Sequence, residues 1–332
     1  MRDGAGSVNG GGDRANGEGG RANDGGGPAG DRWLAEEPGI RRDEPLSRHS
    51  EYGIGGPADW YLRVRDTAHL AGLMRRCRET GVPVTVIGAG SNSLVLDGGV
   101  RGLVVELPRG RLRRLSGELI ELPGGAMMPR AALDCAAQGL GGLEFAIGVP
   151  GTCGASVRGN AGAFGTEIKD VLVDCDTLDP DGSERTLTVD ELGFAYRSSR
   201  LKHDLAGHVV VAARLRVHED LPLAVRTLTD AIQAERRATQ PYDQRSLGSM
   251  FTNPPGDHAG RLIDAAGLKG ARVGGAEVSL KHANFVINAG GATAADVLEL
   301  CDLIQRTVAE RFGVHLVPEI AVLGEPARRI GS

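Results

Sequence analysis

Hydrophobic positions along the chain follow two periods in turn. From Asp66 the apolar residues of "TAHLAGLMRRCRET" recur at helical spacing until Gly81, so Asp66 reads as an N-cap and Gly81 as the stop. In "VPVTVIGAGSNSLVL" the pattern changes to a β-branched run at 84–87, a glycine loop, and the apolar 94–96. Residues 102–107 and 118–122 continue as short strands, and "MMPRAALDCAAQGLGG" as a short helix closed by glycines. "VLVDCDTLD" and "HVVVAARLRV" read as strands, and Leu221 to Arg237 as a long helix ending at Pro241. A strand near 282–288 precedes a last helix, on which Val297, Leu300, Cys301, Ile304, Val308 and Phe312 share a face before Gly313. The pattern is mixed α and β, with order beginning near Pro45 and a domain boundary near 220.

Composition narrows the function. A length of 332 residues with 41% hydrophobic content allows two domains with sizeable cores. A net charge of -5 without a long basic block argues against a nucleic-acid partner. No apolar run reaches ~18 residues, so no membrane insertion is expected. Residues 1–31 are Gly, Asn, Asp and Arg without an apolar segment, which fits neither a secretory signal nor a folded element and predicts a disordered tail. The five cysteines, at 77, 135, 153, 175 and 301, are never in CxxC spacing, and the eight histidines form no HxxxH pair. No metal is expected, and a reducing cytoplasm suits such cysteines.

Two glycine-rich segments are the chemical signal. "GAGSN" at 88–92 follows a strand and could bring a ligand phosphate against backbone N–H groups, with Ser91 and Asn92 as further donors. It is not a dinucleotide fingerprint, because position 93 is Ser where a third glycine belongs and no helix pattern opens there. "GVPGTCGASVRGNAGAFG" places glycine at 148, 151, 154, 159, 162 and 165, interleaved with Pro150, Thr152, Ser156 and Asn160. Either the two are glycine turns of a sheet protein, or they surround one large anionic ligand such as a diphosphate-bearing cofactor.

"IGAGSNSLV", "GVPGTCGASVRGNAGAFG", "FAYRSSRLK", "GSMFTNPPG" and "HLVPEI" occur in the order found in the MurB-type UDP-N-acetylenolpyruvoylglucosamine reductases, and the chain resembles that family across residues 45–325. "HSEYGIGGPA" at 49–58 is similar to the family's opening segment, and "GLKGARVGGAEVSLKHANFVIN" to its substrate-domain core. The resemblance implies an α+β fold: an FAD-binding domain of the vanillyl-alcohol-oxidase (PCMH) type in two subdomains, then a C-terminal α+β substrate domain. The implied organisation is a glycine-rich tail at 1–40, the FAD domain at 41–220, the substrate domain at 221–326 and a short tail at 327–332. The compact chain between Tyr196 and Ser249 resembles the shorter subtype.

The resemblance also implies a reaction and its residues. NADPH would reduce a non-covalent FAD, which would reduce the enolpyruvyl group of UDP-N-acetylglucosamine enolpyruvate, a step of peptidoglycan precursor synthesis in the cytoplasm. The cofactor would lie on Gly88, Gly90, Ser91, Asn92, Ser93, Gly148, Pro150, Gly151, Thr152, Gly154, Ala155, Asn160, Gly162 and Gly165. Arg197 matches the arginine at the developing enolate, Glu319 the catalytic glutamate and Ser249 the proton donor. Tyr196, Asn253, Lys269 and His282 match positions that hold the sugar nucleotide. Outside the motifs these would read as a loop arginine, a strand-edge carboxylate and a turn serine. Leu201 stands where the family has Phe, and Val317 where an acidic residue is frequent. A flavin oxidase of the same fold would not need Arg197, Ser249 and Glu319 together, nor would a flavoprotein that only binds the sugar nucleotide.

Overall fold

A computed structural model describes residues 30–327. Three sheets organise them. The first is mixed, in the order Arg41–Pro45, Pro57–Arg63, Val100–Glu106, Val84–Ile87; the first pair is antiparallel and the others parallel. The parallel pairing of Val84–Ile87 with Val100–Glu106 needs a crossover, and the chain between them carries the "GAGSN" loop. The helix Thr67–Thr80 covers this sheet with Leu70, Leu73, Met74 and Cys77. Its ends follow the expected chemistry: the Asp66 side chain accepts from the His69 N–H, and Gly81 takes a left-handed φ of 71°.

The second sheet is antiparallel, in the order Glu184–Thr188, Leu172–Leu178, Val209–Arg216, Leu119–Pro123, Arg113–Arg114. The helices Met128–Gln138 and Cys153–Gly159 bury Met128, Cys135, Cys153 and Val157 in its core. The third sheet is formed by Ser246–Ser249, Phe285–Asn288, Ala276–Val278 and Arg272–Val273, with the helix Ala294–Phe312 burying Val297, Leu300, Ile304 and Val308 against it. After that helix the chain returns to the first sheet's side, where Ala321–Leu323 pairs in parallel with Ser93–Val95. Among the described residues no helix is long and apolar enough to cross a membrane, and no cluster of metal-ligating side chains occurs.

Three expectations need correction. Order begins before residue 41: the short helix Arg32–Glu36 buries Leu34 completely, and the Trp60 indole N–H donates to the Asp31 carboxylate at 2.9 Å. Residues 1–29, the main part of the expected tail, and 328–332 lie outside the described residues. The break at 220/221 falls before the helix Pro222–Thr239, whose Ile232 lies in the core of the second sheet beside Met128–Gln138, so this helix packs with that subdomain. The strands of the third unit begin only at Ser246. Finally, the second glycine segment is not all loop, since Cys153–Gly159 is helical between Thr152 as N-cap and a left-handed Asn160.

Candidate active site

Three chain segments meet at Glu319. Past the last helix the chain runs extended beside the end of Ser246–Ser249: the Thr252 N–H donates to Val317 O at 2.9 Å and the Glu319 N–H to Met250 O at 2.8 Å. One residue before Met250 stands Ser249, half-buried. On the other side the Asn92 amide donates to Glu319 O at 3.3 Å, and the Ala321 N–H to Asn92 O at 2.9 Å. The carboxylate, the serine and the first glycine loop are therefore held together by main-chain bonds and by the Asn92 side-chain amide.

Arg197 reaches the same point from the second subdomain. Ala195 and Ser198 exchange two backbone hydrogen bonds of 3.0 Å around a two-residue turn of Tyr196 and Arg197. Arg197 has a φ of 56°, a left-handed conformation that costs a side-chain-bearing residue roughly 1–2 kcal/mol. Its Nε lies 3.1 Å from Glu319 Oε1 and its Nη1 3.4 Å from Glu167 Oε1, and Nη2 donates to Gly162 O at 3.0 Å. Burial raises the Glu319 pKa, while the charges of Arg197 and Lys202 pull against it. A carboxyl so placed can carry a proton at a higher pH than an exposed glutamate. The guanidinium also lies over the exposed Tyr196 ring, 5.0 Å from its centroid.

The two glycine loops face each other. A Cβ on Gly88 would stand 2.8 Å from Thr152 Oγ1, and one on Gly151 would stand 3.5 Å from Ser91 Oγ. Gly90, at a φ of 65°, passes so near that a Cβ would lie 2.4 Å from His49 O. The N–H groups of Ala89, Gly90, Ser91 and Asn92 donate to no group among the described residues. Bare backbone, unspent donors and short hydroxyls on both sides suit a diphosphate. Ser93 opens the strand that pairs with 321–323. Gly148 is crowded by Phe164 and Ala163, which a Cβ would meet at 3.1 and 3.2 Å, whereas Gly165 faces open space.

Four expected cofactor residues have polar groups engaged within the protein. Asn160 is fully buried, its amide donating to Glu167 Oε2 at 3.0 Å and Ala195 O at 3.1 Å while Oδ1 accepts from the Lys169 N–H at 3.1 Å. Both amide hydrogens are thus used, and none remains for a ligand. The Gly154 N–H donates to Gly124 O at 2.8 Å, and a Cβ there would meet Val210 O at 2.9 Å; this glycine permits helix-to-sheet contact. The Ala155 N–H is given to the Thr152 cap, and Gly162 supplies its carbonyl to Arg197.

Between the units lies a cavity of about 360 Å³ whose lining includes Met127, Pro129 and Pro150 from one side and Gly248 and Phe285 from the other. His282 packs edge-on against Phe285, with centroids 4.9 Å apart. Burial lowers the His282 pKa, and the Lys269 charge acts in the same direction. Lys269 Nζ stands 2.8 Å from Asp264 Oδ2. Asn253 instead holds local structure, its Oδ1 accepting from the Ala259 N–H at the start of the helix Ala259–Ala265. Sequence reasoning assigned nothing to Glu167 or Lys202, which complete the surroundings of Arg197. Lys202 ends the motif "FAYRSSRLK", five residues after Arg197, and that spacing was the available signal.

Comparison with known proteins covers most of the chain. Residues 58–188 match the FAD binding domain family, and residues 240–323 match the C-terminal domain of UDP-N-acetylenolpyruvoylglucosamine reductase. UDP-N-acetylenolpyruvoylglucosamine reductase 2 of Symbiobacterium thermophilum is 46% identical over 298 residues, covering 88% of this chain and 95% of the relative. The reductase of Rubrobacter xylanophilus is 46% identical over 290 residues, covering 87% and 97%. The crystal structure of UDP-N-acetylenolpyruvylglucosamine reductase (MurB) from Thermus caldophilus superposes with a TM-score of 0.73 at 36% identity, covering 86% of this chain and 98% of that one. The first two sheets are thus an FAD-binding domain of the PCMH type in two subdomains, and the third belongs to an α+β C-terminal domain.

Proposed function

We propose, from the premise that this chain belongs to the UDP-N-acetylenolpyruvoylglucosamine reductase family, that it reduces the enolpyruvyl ether of UDP-N-acetylglucosamine enolpyruvate at the expense of NADPH. The product is UDP-N-acetylmuramate, a cytoplasmic precursor of peptidoglycan. In balance, the vinyl group gains a hydride at its terminal carbon and a proton at its α-carbon, and NADPH becomes NADP⁺. A non-covalently held FAD would supply the hydride relay between NADPH and the substrate. Gly88, Gly90, Ser91, Asn92, Gly151 and Thr152 would hold its diphosphate.

This chain's residues would handle the charge and the proton. Hydride arrival leaves electron density on the α-carbon and its carboxylate, which needs a fixed cation or donor. Arg197 offers a planar guanidinium fork whose donors match a carboxylate. Glu319 in its protonated form can donate to the same enolate without repelling it, and burial favours that form. Ser249 would deliver the proton to the α-carbon as general acid. Lys269 and His282 would receive the sugar nucleotide, and Tyr196 lies exposed beside Arg197.

The observation that carries the reading is the 3.1 Å pair of Arg197 and Glu319, tied through Met250 to Ser249 and through Asn92 to the first glycine loop. NADPH consumption by the FAD-loaded protein tests it. Consumption that depends on the enolpyruvyl substrate supports the reaction. Consumption that needs only oxygen would make the chain an oxidase of the same fold.

A further inference from the structure

Beyond its charge near Glu319, Lys202 has specific surroundings. It closes the short helix Arg200–Lys202, which Leu201 anchors with a side chain fully buried in the second subdomain's core. The Ser199 hydroxyl ties the same segment to Arg158 O at 2.7 Å. From this fixed base the Lys202 ammonium turns back five residues and donates to Arg197 O at 2.7 Å. That carbonyl belongs to the residue whose φ is 56°. A left-handed arginine persists only where its surroundings over-determine it. Here the Ala195–Ser198 bridge holds the turn, the Asn160 amide holds Ala195 O, and Lys202 holds the carbonyl of Arg197 itself.

We propose that Lys202 is a positioning residue for the reaction: by pinning the Arg197 carbonyl it holds the strained turn that aims the guanidinium at Glu319 and the substrate carboxylate. This rests on the proposed reaction. Lys202 acts through Arg197, with no contact to substrate required of it. Its charge has a second effect, because the ionised groups facing Glu319 are Arg197 on the turn and Lys202 on the short helix. Around them are Glu167, paired to Arg197, Arg158, whose charge acts on Lys202, and His203, whose ring meets the Ser198 hydroxyl at 2.8 Å. Lys202 favours the carboxylate form of Glu319. Removing its charge should raise the pH at which Glu319 gives up its proton.

The test compares wild type, K202M and K202R as FAD-loaded enzymes. Stopped-flow flavin absorbance, recorded across pH, follows the step with NADPH and the step with enolpyruvyl substrate separately. K202M should reduce its flavin with NADPH at the wild-type rate but slow at least tenfold with substrate. The alkaline limb of the substrate step should move to higher pH. K202R keeps the charge and should return the limb to its wild-type position with part of the rate. A titration of the flavin spectrum with substrate should show the altered fit without turnover. A wild-type rate in K202M would overturn the proposal, as would a slowed rate with the limb unmoved and no rescue by K202R. Should K202M not hold FAD, K202Q makes the same comparison. A wild type that does not consume NADPH with substrate would defeat the reaction, and this proposal with it; an active wild type with an unaffected K202M defeats this proposal alone.

Discussion

Replacing Asn160 with alanine should unsettle both stability and the active-site turn. The side chain makes three hydrogen bonds, two donated to Glu167 and Ala195 and one accepted from Lys169. At about 1 kcal/mol net for each, their loss amounts to about 3 kcal/mol. Asn160 also caps the helix Cys153–Gly159 with a φ of 44°, where alanine would add about 1 kcal/mol of strain. The total of about 4 kcal/mol, at roughly 2 °C per kcal/mol for a chain of this size, lowers Tm by about 8 °C. Thermal unfolding of the FAD-saturated protein measures it. N160G separates the two parts, because glycine removes the bonds and accepts the left-handed backbone; it should recover about 1 kcal/mol, or roughly 2 °C. Because the amide also holds Ala195 O, N160A should slow the substrate step more than the step with NADPH. A variant whose Tm and rates match wild type would refute the assignment of Asn160 to the protein's own scaffold.

R197K retains charge but loses the fork that meets Glu319, Glu167 and Gly162 O together; turnover should fall while flavin reduction by NADPH survives, as single-turnover absorbance would show. Burial holds the Glu319 carboxyl above its ordinary range, so the donating form persists to higher pH. The substrate step should be fast below that pKa and fall as pH rises through it, and E319Q should flatten this limb in a pH–rate profile. L34A removes a fully buried side chain and should cost about 3 kcal/mol in denaturant unfolding.

What the sequence disclosed was what its local chemistry encodes. The helix Thr67–Thr80 was legible because Asp66 and Gly81 mark its ends by themselves. The helix Cys153–Gly159 was hidden because its caps, Thr152 and Asn160, sit among glycines that look like turn formers. Glycines of one composition also serve different ends. Gly90 lets a loop pass His49, whereas Gly154 lets a helix approach Val210, and only the fold separates them. The ordering of Asp31 and Leu34 depends on Trp60 and the first sheet's core, residues distant in the chain. The helix Pro222–Thr239 has a clear apolar face, but periodicity does not say which core receives it. Arg197, Ser249 and Glu319 were singled out by motif, and the fold brings their three segments together. The left-handed turn and Lys202 behind it emerge only in the fold, since nothing in "YRSS" announces a positive φ.

The central claim is that this site joins two separable half-reactions and that Ser249 serves only the second. S249A, followed by anaerobic stopped-flow absorbance of the bound flavin, tests it most directly. Bleaching by NADPH should proceed at close to the wild-type rate, since no proton from Ser249 is needed there. Return of the colour on mixing with UDP-N-acetylglucosamine enolpyruvate should slow by ~10²–10³-fold, the cost of losing one stabilising donor. S249C should recover part of that loss, because a thiol can also give a proton. Recolouring of S249A at the wild-type rate would contradict the account and leave Ser249 as a strand-end residue beside Met250.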